Sequence, residues 1–260
     1  MSSEAFGARR RRDPTKRFTD RVANYLRYRP RYPAGVLDVL REETGLVPSH
    51  VVADVGSGTG FFSELPLENG NAVYGVEPNQ AMRNAAEGYL AHYPEFHSVA
   101  GSAEATTLEP NSMDYVTAAQ AFHWFDMPSA RDEFRRILKP EGWVLLIWNE
   151  RNTASSAFLA GYEEIVTQYA TEDREANQRN KRKEVIDQFF AAYARWSLTN
   201  AQVLDYAGLE GRYLSSSHTP KPGEPNFEPM IGALKRLFDA HQKDGTVTFE
   251  YETKMYLGRV

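Results

Sequence analysis

The 260-residue chain contains no cysteine, so neither disulfides nor thiolate-bound metals contribute to its stability or chemistry. It has no apolar run long enough to cross a bilayer and no signal-peptide core, and the expectation is a cytoplasmic protein with no membrane partner. It also lacks the basic excess of a nucleic-acid binder. The formal net charge is -5 and the pI about 5.8, which gives no global reason to expect nucleic acid. The four arginines Arg9 to Arg12 run against that balance. They stand just before Asp13 and Pro14 and read as the solvated part of a flexible tail over residues 1–15.

The apolar content, 42% of residues, suffices to fill the core of one α/β domain over residues 16–260. That domain is organised around VVADVGSGTG, Val51 to Gly60. Val51, Val52, Ala53 and Val55 predict a short buried strand, and Gly56, Gly58 and Gly60 predict a turn that bends sharply and lets a ligand approach the backbone. A helix predicted over Phe61 to Leu67 would aim its N–H groups at that ligand. The third glycine of the dinucleotide pattern G-x-G-x-x-G is missing, because Phe61 falls there, and Asp54 lies two residues before the first glycine. An acid at the turn disfavours a pyrophosphate and suits an ammonium group.

The run Asp54 to Gly60, DVGSGTG, resembles the first motif of class I S-adenosylmethionine-dependent methyltransferases. A second strand, Ala72 to Val76, ends in Glu77 near the roughly 20-residue spacing at which an acid holds ribose hydroxyls. RFTDRVANYLRYRPRYP, Arg17 to Pro33, is similar to the lead-in of the type 11 methyltransferase group. The resemblance puts Tyr25 and Arg29 near the methionine end of the cofactor, Arg29 in a two-pronged contact with its carboxylate. Packing of an amphipathic helix is the other reading of the same tyrosine.

The resemblance extends through the next elements. It sets Pro78 and Met82, on a helix predicted over Pro78 to Tyr93, against the adenine, although Met82 could equally fill core. After a third strand, Phe96 to Ala100, related enzymes carry G-D-A where this chain has Gly101, Ser102 and Ala103, so Ser102 offers the adenine an uncharged, shorter acceptor. Met113 to Ala118 predicts the fourth strand. The loop after it, Ala119 to Phe125 (AQAFHWF), lies where ligands gather in a doubly wound sheet. Gln120, His123 and Trp124 are its candidates to face cofactor and substrate, with His123 as a general base or merely the cap of the next helix. No N/D-P-P-Y sequence follows this strand, which shifts the expected acceptor from nitrogen toward oxygen or carbon.

A helix over Ser129 to Leu138 and a fifth strand, Trp143 to Asn149, complete this half. The fold class implied is a doubly wound, Rossmann-like, seven-stranded, mostly parallel sheet. An N-terminal helical cover spans residues 16–46, and a helical lid insertion, residues 153–198, follows the fifth strand. Helices are expected over Ala157 to Tyr169 and Glu172 to Trp196, the apolar end of the second either lining a pocket or docking on the sheet. A sixth strand over Ala201 to Tyr206, helices over Gly208 to Ser216 and Phe227 to His241, and a final antiparallel strand over Thr246 to Gly258 close the chain. The serines and histidine of Ser215 to His218 lack a partner acid and read as structural or substrate-lining.

The cofactor implied is S-adenosyl-L-methionine and the partner a small-molecule substrate, as in enzymes of the trans-aconitate methyltransferase kind. No metal is expected. A non-catalytic S-adenosylmethionine binder and a nicotinamide oxidoreductase are the alternative classes; Phe61 and Asp54 disfavour the second.

Overall fold

The computed structural model describes residues 26–170, 176–216 and 219–260. The basic tail, Tyr25, most of the segment beginning at Arg17, and Ser217 and His218 lie outside them. The described residues form one seven-stranded sheet in the order β3-β2-β1-β4-β5-β7-β6. The strands are β1 (Val51–Val55), β2 (Ala72–Val76), β3 (Phe96–Val99), β4 (Met113–Ala119), β5 (Leu138–Arg151), β6 (Ala192–Leu204) and β7 (Val247–Arg259). Neighbours from β3 to β5 run parallel; β7 is antiparallel to both β5 and β6.

The central parallel strands are largely apolar, Asp54 and Thr117 being the buried polar exceptions in β1 and β4, because helices cover both faces. On one face lie α1 (Gly35–Thr44), α2 (Glu64–Glu68) and α3 (Gln80–Tyr89), whose side of the sheet buries Val36, Leu40, Phe62, Leu65 and Leu90 with Leu145 and Ile147. On the other lie α4 (Met127–Ile137) and α6 (Ala176–Phe189), with Phe134, Ile137, Ile186 and Phe189 against Val144, Leu146 and Trp148. Each such side chain contributes about 1.5–3 kcal/mol on burial.

A third core lies past the end of β5. That strand pairs with β7 only as far as Arg151 against Tyr251, while β6 and β7 stay paired on to Leu204 and Val247. Their projecting ends pack with α5 (Ala157–Tyr169), α7 (Tyr206–Leu214) and α8 (Phe227–His241) around Phe158, Tyr162, Leu209, Tyr213, Met230, Leu234 and Phe249. These helices and the projecting ends of β6 and β7 form a cap at the end of the sheet where β1 and β4 also finish.

Several boundaries differ from the sequence reading. The helix expected to run to Trp196 stops at Phe189, and β6 already begins at Ala192. Tyr193 and Trp196 match a helical spacing, but thirteen residues of pairing with β7 prevail over that local preference. The apolar end of α6 docks on the sheet, with the Phe189 ring 4.8 Å from Phe122 and 5.9 Å from Phe134. The helix expected from Phe61 begins only at Glu64 and spans five residues, because the chain is still turning at Phe61 and Phe62. β5 opens early, at Leu138, with its pairing broken between Met113–Leu138 and Tyr115–Trp143. Pro140 sits in that break, where it takes no donor from the ladder.

Candidate active site at the glycine turn

All three glycines after β1 have positive φ: Gly56 at 70°, Gly58 at 56° and Gly60 at 83°. At Gly56 and Gly60 a side chain is excluded twice over, by φ and by space. A Cβ on Gly56 would lie 2.6 Å from that of Ala121, and one on Gly60 would lie 2.6 Å from Leu90 Cδ1. The turn is strung from the end of β2, with Gly56 N and Ser57 N both donating to the Val76 carbonyl at 2.8 and 3.2 Å.

Glu77 closes the crevice between β1 and β2. Its Oε2 accepts from Gly58 N at 3.0 Å and its Oε1 from Asn79 N at 2.9 Å, so the carboxylate lies across the glycine turn with lone pairs to spare. Burial raises its pKa, and the two backbone donors offset part of that rise. Asn79 also caps α3, its side chain accepting from Ala81 N and Met82 N. Met82 is buried with its Cε 3.5 Å from the position of a Cβ on Gly58, whereas Pro78 is exposed.

Asp54 departs from expectation. It does not line the open turn but is fully buried, Oδ2 accepting from Ser63 Oγ at 2.7 Å and Oδ1 from Thr117 Oγ1 at 3.0 Å. The direct ammonium contact is therefore not what this geometry offers. Asp54 ties β1 to β4 and to the residue preceding α2, and burial pushes its pKa up to about 6 against the pull of the two hydroxyls. In the glycine turn the Thr59 hydroxyl is buried with no hydrogen-bond partner among the described residues, a donor and acceptor that a ligand could satisfy.

The loop after β4 reaches the same turn, as Ala121 and Phe125 are the residues a side chain at Gly56 would strike. Gln120 has a φ of 57°, and its Nε2 donates to the Asn149 carbonyl at 3.0 Å. Phe122 points into the core. His123 and Trp124, on the 3-10 turn Phe122–Trp124, are exposed with rings 4.8 Å apart. Ser102 is half-buried and Ala103 buried in a tight loop closed by a Ser102–Ala105 bridge. The structure thus brings together Gly56 to Gly60, Glu77, Met82 and the Gln120 loop, and sets His123 and Trp124 on the outer rim.

Other residues that build the site went unnoticed in the sequence. Glu133 on α4 accepts from Thr106 N at 2.8 Å and from Arg136, which holds its carboxyl down to about 2 and pins the loop that carries Ser102. Residues 28–31 form a strap across the sheet. The Arg31 carbonyl accepts from Asn149 Nδ2 at 3.1 Å and Asn200 Nδ2 at 2.7 Å, and its guanidinium lies 3.9 Å over the Phe61 ring and 3.2 Å from Glu64. Arg29 is turned to the cap, donating to the Ser215 carbonyl at 2.9 Å. The asparagines lie 118 and 169 residues beyond Arg31 and carry no local pattern that joins them to it, so only the fold assembles the three.

A cavity of about 490 Å³ lies at the opposite end of the sheet, among His50, Lys139, Trp143 and Arg259, away from the glycine turn. No group of three His, Asp or Glu side chains among the described residues could hold a metal ion, and no helix among them is long and apolar enough to cross a membrane.

Residues 53–146, which hold the glycine turn, Glu77 and the loop after β4, match the family model described as "Methyltransferase domain". Among curated proteins the chain is 34% identical over 138 residues to an uncharacterized methyltransferase-like protein of Schizosaccharomyces pombe, covering 53% of each. It is 36% identical over 142 residues to an uncharacterized methyltransferase of Mycobacterium bovis, covering 55% of this chain and 56% of the relative. The match thus spans about half the length of these relatives. Among solved structures, one from Anaeromyxobacter dehalogenans, provisionally assigned as a type II methyltransferase, superposes with a TM-score of 0.66 at 21% identity, over 89% of this chain and 98% of the other. That likeness shows the fold.

Proposed function

We propose that this chain, whose residues 53–146 match a methyltransferase domain model, is a class I S-adenosylmethionine-dependent methyltransferase that moves a methyl group to a small molecule by in-line displacement, at oxygen or carbon rather than nitrogen. The observation that carries this reading is the carboxylate of Glu77 laid over the Gly58 amide at 3.0 Å, at the mouth of a turn with no room for a side chain at Gly56 or Gly60. An acid in that position suits ribose hydroxyls, and the Thr59 hydroxyl, without a hydrogen-bond partner among the described residues, leaves the turn a group for a ligand to meet. In this reading Ser57, Thr59 and the glycines from Gly56 to Gly60 hold the methionine part together with Gln120 and Tyr25, Arg29 would have to leave its bond to the Ser215 carbonyl to join them, and Asp54 acts by bracing the turn. Pro78, Met82, Ser102 and Ala103 receive the adenine.

The cofactor supplies a methyl group already activated by its positive sulfur. The protein's task is then to hold donor and acceptor in line at about 3–3.5 Å and to exclude water. The loop from Gln120 to Phe125 and the cap stand where an acceptor would enter. Aromatic rings at Trp124 and Phe125 favour a nearby cation. His123 on the rim is the general base for a phenol or carbon acid, while a carboxylate acceptor needs none. Supporting oxygen or carbon is the absence of the amino-group motif after β4, where the chain reads AQAFHWF.

A thermal-shift screen followed by a transfer assay across carboxylates, phenols and amines tests the proposal. S-adenosylmethionine and S-adenosylhomocysteine should raise the melting temperature while NAD and NADP do not. Transfer to amines alone would overturn the acceptor class, and binding without transfer to any class would make the chain a sensor or subunit.

A further inference from the structure

The two edges of the sheet are built differently. β3 is four residues long, whereas β6 runs for thirteen in unbroken register with β7, from Ala192–Arg259 to Leu204–Val247. No strand of the described residues pairs with its outer side. Proteins ordinarily blunt such an edge with lysine, proline, a bulge or shortness. β6 has none of these. It contains no proline, glycine, lysine or carboxylate, and its one charge is Arg195.

We propose that β6 pairs antiparallel with β6 of a second copy of this chain, about a two-fold axis at Leu198, joining the two sheets into one. Leu198 is the midpoint of the strand, so this register pairs its full length, and a two-fold contact has to be self-complementary in this way. The side chains agree with it. Val203, at 62% exposed, is the most exposed of the large hydrophobic side chains among the described residues. The register sets it opposite the partner's Tyr193 on the same face, an aromatic and β-branched pair of the kind that stabilises sheets.

Charge agrees as well. Arg195 would lie opposite the small Ala201, and the residue behind Ala201 on β7 is the exposed Glu250, within reach of a long arginine side chain crossing from the partner. Glu252 stands next along the same face, behind Thr199. Moving the axis to Ser197 or Thr199 shortens the pairing and sets Arg195 against Thr199 or Val203 instead. The interface is separated from the glycine turn by β4, β5 and β7, and its existence does not depend on the proposed methyl transfer.

Sedimentation equilibrium of the full chain should return twice the 29.5 kDa chain mass at micromolar concentration. Ala201→Arg sets like charges opposite one another and should raise the dimer dissociation constant at least about tenfold, with an unchanged circular dichroism spectrum. Because the chain has no cysteine, Leu198→Cys reports the axis directly. Its thiol should meet its own symmetry mate and form an intermolecular disulfide with oxidised glutathione, whereas Val47→Cys, exposed outside β6, should not. A monomer at about 100 µM overturns the proposal, as would happen if residues 1–25 of the same chain occupied the edge. A dimer that survives Ala201→Arg and leaves Leu198→Cys uncrosslinked overturns it too, since its contact must then be elsewhere.

Discussion

Two buried carboxylates at the glycine turn have opposite tasks, and their surroundings separate them. Asp54 has both oxygens turned inward to hydroxyls, while Glu77 spans backbone N–H groups at the crevice. Burial raises the Asp54 pKa from 3.8 to about 6, so the folded state favours its protonated form. That contribution to stability is complete below pH 3.8 and is lost as pH rises through about 6. Asp54→Asn cannot titrate. Between pH 4 and 7 its melting temperature should therefore gain on that of the parent, by the equivalent of about 1–3 kcal/mol; a constant difference across that window would mean Asp54 is not held in this way. Glu133, drawn down to about 2 chiefly by Arg136, has the reverse sign: its contribution is present above the ordinary carboxylate range and fades as pH falls toward 2.

Steric demands at the turn are as specific as the charges. Gly56→Ala must place a methyl 2.6 Å from Ala121 at a φ of 70°, which combines an overpacking cost of about 1–3 kcal/mol with a left-handed penalty of about 1 kcal/mol. Denaturant melts should show that loss, with cofactor affinity falling further than stability alone explains. Gly88 has no atom within 4 Å of a Cβ and lies in α3, so Gly88→Ala should be neutral or stabilising by up to about 1 kcal/mol. A neutral Gly56→Ala would remove the argument for a cramped turn.

At the scale of elements, what the sequence conveyed depended on how local the cause was. The strand, glycine turn and Glu77 were legible because a buried apolar run, a set of φ > 0 positions and an acid at a fixed spacing are local signatures. So was α8, expected and found at Phe227–His241. β6 was legible only at its end: a sixth strand was expected from Ala201, but the strand begins at Ala192, since the alternation in Tyr193 to Val203 acquires meaning only beside β7. The strap at Arg31 was not legible, since its carbonyl depends on asparagines 118 and 169 residues further along the chain. The docking of α6 rests on Phe189, fully buried against Phe122 and Phe134. Phe189→Ala should cost about 3–5 kcal/mol in denaturant melts, and a loss below about 1 kcal/mol would show that α6 is a loosely held lid.

On the scale of the whole molecule, the sheet divides its labour between two ends and two edges. The carboxyl ends of β1, β2 and β4 gather the glycine turn, Glu77 and the Gln120 loop, and the projecting ends of the β6–β7 pair hold a cap of three helices at the same end. The strap through Arg31 links them, with its carbonyl held by β5 and β6 and its guanidinium by Phe61 and Glu64. Arg31→Ala should therefore weaken cofactor binding several-fold without touching the cofactor, through the lost stacking on Phe61.

The account turns on whether Glu77 and the glycine turn hold a sulfonium nucleoside. Isothermal titration of the full chain and of Glu77→Gln with S-adenosylmethionine measures that most directly. The account predicts one site per chain, and a loss of affinity in the variant of about ten- to a hundredfold, the range for a hydrogen bond to a charged group. Equal affinity in the two proteins, or no heat with the parent chain, would contradict it.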